Sequence, residues 1–158
     1  MPLIPVATAA ERQRAGELIG SWVEKALADG DWLIAADHDP DLSRWYLRMR
    51  GEDRDYIALW LTLRQRSIHQ AAYVMPAPEE NVEETLAYLL RRNADLVGMR
   101  FAIGEEDAIY LVGETPIRGL DLDEIDRIVG SAYTYVERHF AMAMSLGFAS
   151  LYRRRRRS

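Results

Sequence analysis

A chain of 158 residues, 49% apolar and 28% charged, has the make-up of one globular domain, and its lack of cysteine excludes a disulfide framework, thiolate metal sites and thiol catalysis. The net charge of −5 conceals an asymmetry. Five of the 20 basic residues form the run Arg153–Arg157, so the rest of the chain carries −10 and repels the phosphate backbone of nucleic acid.

The opening MPLIPVATAAERQRAG lacks the basic region and long apolar run of a signal peptide. No stretch reaches the ~20 apolar residues of a transmembrane helix, so a cytoplasmic protein is expected. Residues 8–29 place Ala15, Leu18, Ile19, Trp22, Val23, Ala26 and Leu27 on one face at helical spacing. Asp29-Gly30 is a stop signal, glycine being free to adopt the left-handed cap conformation. DWLIAADHDPDLS then reads as a polar loop with room for a short strand at Trp32–Ala35.

RWYLRMR alternates strictly. Trp45, Leu47 and Met49 point one way, and Arg44, Tyr46, Arg48 and Arg50 the other, the mark of a half-buried strand. DYIALWLTLR is apolar on both faces and suits a central strand; IHQAAYVM follows it, and short turns make the three a meander. In MPAPEEN, Pro76 and Pro78 end the ladder, since neither donates a backbone hydrogen bond. Pro78 also suits the first turn of a helix. That helix, NVEETLAYLLRRNADL, has Val82, Leu86, Leu89 and Leu90 on one side, Glu83 and Glu84 at its start and Arg91 and Arg92 at its end. GMRFAIG and AIYLVG are two strands around GEED, a hairpin signal. The last helix carries Leu122, Ile125, Val129, Ala132, Tyr133, Val136 and Phe140 at the helical period, with Asp121 as N-cap and Glu124 three residues on. The expected architecture is a single α+β domain over residues 8–151, in the order α-β-β-β-α-β-β-α. Its antiparallel five-stranded sheet has helices mainly on one face. Residues 152–158 are expected to be a basic, disordered tail with weak, salt-sensitive attraction for anionic surfaces.

The strings WLTLRQR, VMPAPEEN and YLLRRN, within a stretch from RWYLRMR to AIYLVGE, resemble the bacterial YbjN-domain family of sensory transduction regulators, and SAYTYVERHF…LGFAS resembles it too. The resemblance covers residues 14–151. It implies a fold similar to type III secretion chaperones. It supplies no catalytic residues and implies no cofactor.

Several clusters bear on function. Arg44, Tyr46, Arg48 and Arg50, with Trp60, Arg64 and Arg66 on or beside the next strand, form a candidate partner-binding sheet face, on which arginine offers bidentate contacts to carboxylate or phosphate. The plainer reading is a solvated face whose arginines pair with Glu52, Asp53 and Asp55. DHDPD, Asp37–Asp41, gathers carboxylates and a histidine, yet has no second ligand cluster, and Asp-Pro favours turns. His38, His69 and His139 sit in separate elements, His139 where its charge would suit the helix dipole. No serine has a G-x-S-x-G setting and no glycine-rich phosphate loop is present. The reading that results is a non-enzymatic protein-interaction module, chaperone-like or regulatory, with a polypeptide partner, no specific nucleic acid, no metal, and a homodimeric state. The alternative is a small-ligand sensor, or an enzyme, with a pocket between sheet and helices.

Overall fold

The computed structural model describes residues 3–157, the last four by backbone alone. Its elements are α1 (Ala9–Asp29), β1 (Leu33–Asp39), β2 (Arg44–Arg50), β3 (Tyr56–Leu63), β4 (Ser67–Met75), α2 (Val82–Arg92), β5 (Arg100–Ile103), β6 (Ile109–Pro116), α3 (Leu122–Gly147) and α4 (Ala149–Arg157). The strands form one antiparallel sheet in the order β1-β2-β3-β4-β6-β5.

The sheet has six strands rather than the five expected. The sixth, β1, occupies the segment read as a polar loop with room for a short strand at Trp32–Ala35, and it runs on to Asp39. It is an edge strand in which Ile34, Ala35, Asp37 and His38 are exposed, so it lacks the alternating apolar face that betrays a strand in sequence. The basic run read as a disordered tail forms α4 backbone through Arg157.

The alternation in β2 is realised: Trp45, Leu47 and Met49 are buried. Register carries that face across the sheet, because Leu47 pairs with Leu59, Leu59 with Ala72, Ala72 with Leu111, and Leu111 with Phe101, all buried. Such side chains contribute about 1.5–3 kcal/mol each for a fully buried Leu or Ile. They meet α1, whose Ala15, Ile19, Trp22, Val23 and Ala26 are buried, and α3, which packs on β3 and β4. α2 packs on α3 with Leu89 buried, while Val82 and Leu90 face outward, contrary to the single apolar side expected. Thr8 and Glu11 close a reciprocal capping box at the start of α1. Asp121 caps α3 as expected, accepting from the Glu124 N–H at 2.8 Å. Gly30 ends α1 in extended rather than left-handed backbone. It is needed for another reason: a Cβ there would lie 2.7 Å from the Trp32 ring.

The crossover between β4 and α2 has a role the sequence did not disclose. Pro78 precedes the helix rather than opening it, since α2 starts at Val82 behind Asn81, which is in left-handed backbone. Residues 79–81 instead seal the C-terminus of α3. The Glu79 and Glu80 N–H groups both donate to the Gly147 carbonyl, at 3.0 and 2.9 Å, and Asn81 Nδ2 donates to the Leu146 carbonyl at 3.0 Å. Glu80 in turn accepts from the backbone N–H and hydroxyl of Ser150, both at 3.0 Å, and so orients α4. The orphan carbonyls at a helix end are thereby satisfied by a loop distant in sequence.

This close approach depends on Gly147, where a Cβ would lie 2.8 Å from Pro78 Cβ. Gly147→Val is therefore expected to cost about 1–3 kcal/mol through overpacking. The cost reads as a lower urea midpoint, with faster amide exchange at Glu79 and Glu80 than elsewhere in the protein. An unchanged midpoint would contradict the seal.

Candidate functional site

Because α1 and α3, with α2 packed on α3, lie on one face of the sheet, the other carries no helix among the described residues. Pairing sets its side chains in rows. Tyr46 lies beside Trp60, Trp60 beside Ala71, Ala71 beside Val112, and Val112 beside Arg100. The next row runs from Arg44 through Thr62 and His69 to Glu114. Between them is a concavity of about 430 Å³ lined by Arg44, Tyr46, Trp60, Arg64, His69 and Tyr110, among others.

Four of the seven sequence-predicted residues, Arg44, Tyr46, Trp60 and Arg64, thus meet at one depression. Arg48 is on the same face but stands over the Tyr56 ring at 4.5 Å. Arg50 and Arg66 are diverted. Arg50 Nε donates to the Asp31 carbonyl at 3.2 Å, and Arg66 Nη1 to the Ile4 carbonyl at 2.7 Å, tying down flanking backbone. None of these arginines forms an ion pair with Glu52, Asp53 or Asp55 among the described residues. Glu52 and Asp53 instead donate their backbone N–H groups to the Glu137 carboxylate, both at 3.1 Å.

The rings at the floor are fixed by packing. Tyr110 lies against Gly104, where a Cβ would come within 2.4 Å of the ring, and its neighbours are Tyr73 at 5.6 Å and Trp60 at 6.0 Å between centroids. Such spacings are those of favourable aromatic pairs. Arg44 is aimed by its Nε–H bond to the Thr62 hydroxyl at 2.8 Å, and its guanidinium stands 5.9 Å from the Tyr46 ring centre. Arg64 reaches toward Glu114 at 3.8 Å, both half open to solvent, a weak pair. Glu105 lines the rim, and register places Asp37 and Asp39 beyond Tyr46 and Arg44 on β1. The depression is therefore basic and aromatic at its centre and acidic at its edges. The imidazole of His69 registers the central field. Its pKa is lowered by burial first and then by Arg64, with Arg100 and Arg44 adding and Glu114 opposing.

Sequence reasoning missed Thr62, His69 and Tyr110 as members of this group. The signal for Tyr110 was the alternation of Tyr110, Val112 and Glu114 along β6. Only the pairing of β4 with β6 places it beside Trp60.

The other candidates resolve into structural roles. Asp39 accepts the N–H groups of Asp41 at 3.0 Å and Leu42 at 3.3 Å, a turn closure, and His38 stacks on Trp45 at 4.3 Å. No three His, Asp or Glu side chains gather closely enough to hold a metal ion among the described residues. His139 does not serve the helix dipole. It is buried between α2 and α3, its Nδ1 3.0 Å from the Tyr88 hydroxyl and its ring 5.8 Å from Phe101, and burial lowers its pKa.

With this geometry in view, the likenesses to known proteins can be placed. A family model, YbjN, described as "Putative bacterial sensory transduction regulator", matches residues 20–143. Uncharacterized proteins of Mycobacterium bovis and Mycobacterium tuberculosis are each 34% identical over 104 residues, covering 66% of this chain and 57% of the relative. One of Mycobacterium leprae is 36% identical over 112 residues, covering 70% and 61%. The chain thus spans less than two thirds of the length of these relatives. Among solved structures, the Yersinia pestis type III secretion chaperone SycH, in complex with a stable fragment of YscM2, matches with a TM-score of 0.52 at 13% identity, over 77% of this chain and 96% of that chain. The likeness is one of fold, and it agrees with the architecture expected from the sequence.

The two depressed histidines set a pH dependence. Their folded pKa values lie below the ordinary 6.5, so the unfolded chain takes up protons first as the pH falls. Their contribution to stability is whole above pH 6.5 and is lost as the pH drops through the folded values. NMR titration of the imidazoles is expected to place the His69 midpoint below 6.5, and Arg64→Gln to raise it while leaving that of His139 in place. A His69 midpoint indifferent to Arg64→Gln would show that the guanidinium does not act there.

Proposed function

The chain belongs to the YbjN family, and from that premise we propose that it is a non-enzymatic protein-interaction module, a chaperone-like or regulatory adaptor, that receives a polypeptide on the bare face of its sheet. The observation that carries this reading is the depression at Arg44, Tyr46, Trp60, Arg64 and Tyr110. Aromatic and arginine side chains are the residue types that most often anchor protein interfaces, because they bury large area or satisfy a carboxylate bidentately. A segment suited to it sets an aliphatic or aromatic side chain on the Trp60–Tyr110 floor and an acidic one against Arg44. The fold neighbour supports the reading, since that chaperone was crystallised with a fragment of another protein. The proposal includes a homodimer and a cytoplasmic location. It leaves the arginine run a weak, salt-sensitive contact with anionic surfaces.

Affinity capture from lysate of the source cells tests the reading. The native chain is expected to retain a stoichiometric polypeptide, and the Arg44→Glu/Trp60→Ala variant to lose it. Truncating such an anchor typically costs about 2 kcal/mol, roughly a 30-fold loss of affinity. Capture that survives the double substitution in a folded variant would move the site elsewhere. Recovery of a small molecule and no protein would favour the sensor alternative. For the homodimer, light scattering after size exclusion is expected to give twice the monomer mass, and a monomer throughout the micromolar range would refute it.

A further inference from the structure

A second depression lies away from the bare sheet face, where the end of α1 and the segment before β1 meet the first half of α3. Its walls are Trp22, Trp32 and Tyr133, with Asp126 at one side, and its volume is about 390 Å³. We infer that this cleft is a binding site for a small organic cation of the quaternary ammonium type, a solute of the chemical class of choline.

The two indoles stand 5.9 Å apart at 64°, so they offer two walls inclined to each other rather than one stacked surface. Ring faces so disposed attract a cation, and several faces around one cation add. Trp22 is held by its Nε1–H bond to Asp126 Oδ1 at 2.6 Å. That bond fixes both partners and brings a carboxylate to the mouth of the cleft. No Lys, Arg or His pairs with Asp126 among the described residues. Trp32 is 40% exposed, and its indole lies where a Cβ on residue 30 would stand 2.7 Å from the ring. Among the described residues, no cationic side chain lines the cleft. Lys25 lines the adjoining depression that shares Trp22, Trp32 and Asp126 with this one, and Asp29 lines it too. Nearby Glu137 and Glu52 raise the pKa of the Tyr133 hydroxyl beyond what burial does, so the surroundings are negative.

The chemistry of the cation follows. A primary ammonium is compact and strongly hydrated, and an open cleft walled by rings returns little of that hydration. A quaternary ammonium spreads its charge over methyl groups, which ring faces and a nearby carboxylate accommodate without dedicated hydrogen bonds. The space is available: Gly130 lines the cleft, and a Cβ added there meets nothing within 4 Å. The site shares no residue with the sheet-face depression and stands independently of the polypeptide reading.

The indole N–H resonances of the four tryptophans provide the readout in a titration of the full chain with choline. Trp22 and Trp32 are expected to shift saturably, with Trp45 and Trp60 unmoved. 3,3-Dimethylbutan-1-ol, which has the same shape without the charge, is expected to bind several-fold more weakly. Asp126→Asn keeps an acceptor for Trp22 and is expected to weaken choline several-fold. Gly130→Leu fills the cleft while favouring the helix, and is expected to abolish the response in a chain that retains native dispersion. An equal response to the uncharged alcohol, or no saturable shift of Trp22 and Trp32, would overturn the proposal. So would tighter saturation of the same resonances by an arginine-containing peptide, which would assign the cleft to a guanidinium.

Discussion

Ile125, Ile128, Val129, Ala132, Val136 and Ala143 press one stripe of α3 into the core it shares with the sheet, and the arrangement of the rest follows from that contact. Side chains alternate across a strand, so committing Leu47, Leu59 and Leu111 to the helical side commits Tyr46, Trp60 and Tyr110 to the other. A slip of one residue would drive Arg44 and Arg48 into the core, and burying an unpaired charge is too costly for such a register to persist. Of the two register shifts, one in the β1–β2 ladder at Leu33/Ala35 and one on β4, the second is managed by packing. The β4–β6 ladder shifts between Tyr73 and Met75, which lets both Val74 and Met75 be buried. Arg54 crosses from the β2–β3 turn to donate to the Val74 carbonyl at 2.7 Å, with its guanidinium 4.5 Å from the centre of the Phe140 ring. A bulge that would otherwise leave a carbonyl unpaired is thereby tied to α3 as well.

The same constraint explains what could be read in the sequence. The β2 alternation and the α1 periodicity are local consequences of facing one core, and both were legible. β1 was legible only at its start, as room for a short strand at Trp32–Ala35, because an edge strand needs no apolar alternation. His139 was misread because helical position alone says nothing about burial: Tyr88 and Phe101, which enclose it, come from α2 and β5. The Thr8–Glu11 capping box was written in the sequence as T-x-x-E, and only its significance was overlooked. The arginines of the candidate site were visible as a group. That Arg50 and Arg66 would turn away to backbone carbonyls depends on loop paths no periodicity encodes. Gathering Tyr110 with Trp60 required a strand pairing that spans α2 and β5.

The two free edges of the sheet are treated differently. On β5, the Asn93 carboxamide accepts from the Phe101 N–H at 2.7 Å and donates to its carbonyl at 3.1 Å, doing for that residue what a seventh strand would do. On β1, Asp37 accepts the N–H of His38 at 2.9 Å, and the edge carries carboxylates. Side chains that occupy or charge an edge discourage sheet-to-sheet association. If the bare face receives a polypeptide as proposed, edges treated in this way also limit indiscriminate strand pairing.

Closing the edges leaves recognition to surfaces, and here the charge distribution matters. The chain without its arginine run is acidic, yet the centre of the bare sheet face holds Arg44 and Arg64 beside His69, whose pKa is lowered by burial first and then by Arg64. Under the proposed function, an acidic segment would be repelled by the acidic remainder and attracted at that centre, so the surrounding charge would orient its approach. The Trp22–Trp32 cleft is the converse case. It is aromatic with one carboxylate, and Glu137 and Glu52 stand near its Tyr133 wall. The sheet face must therefore select by fit, through Trp60, Tyr110 and the aimed guanidinium of Arg44. A cation in the cleft would be held by the ring faces of Trp22 and Trp32 beside the Asp126 carboxylate.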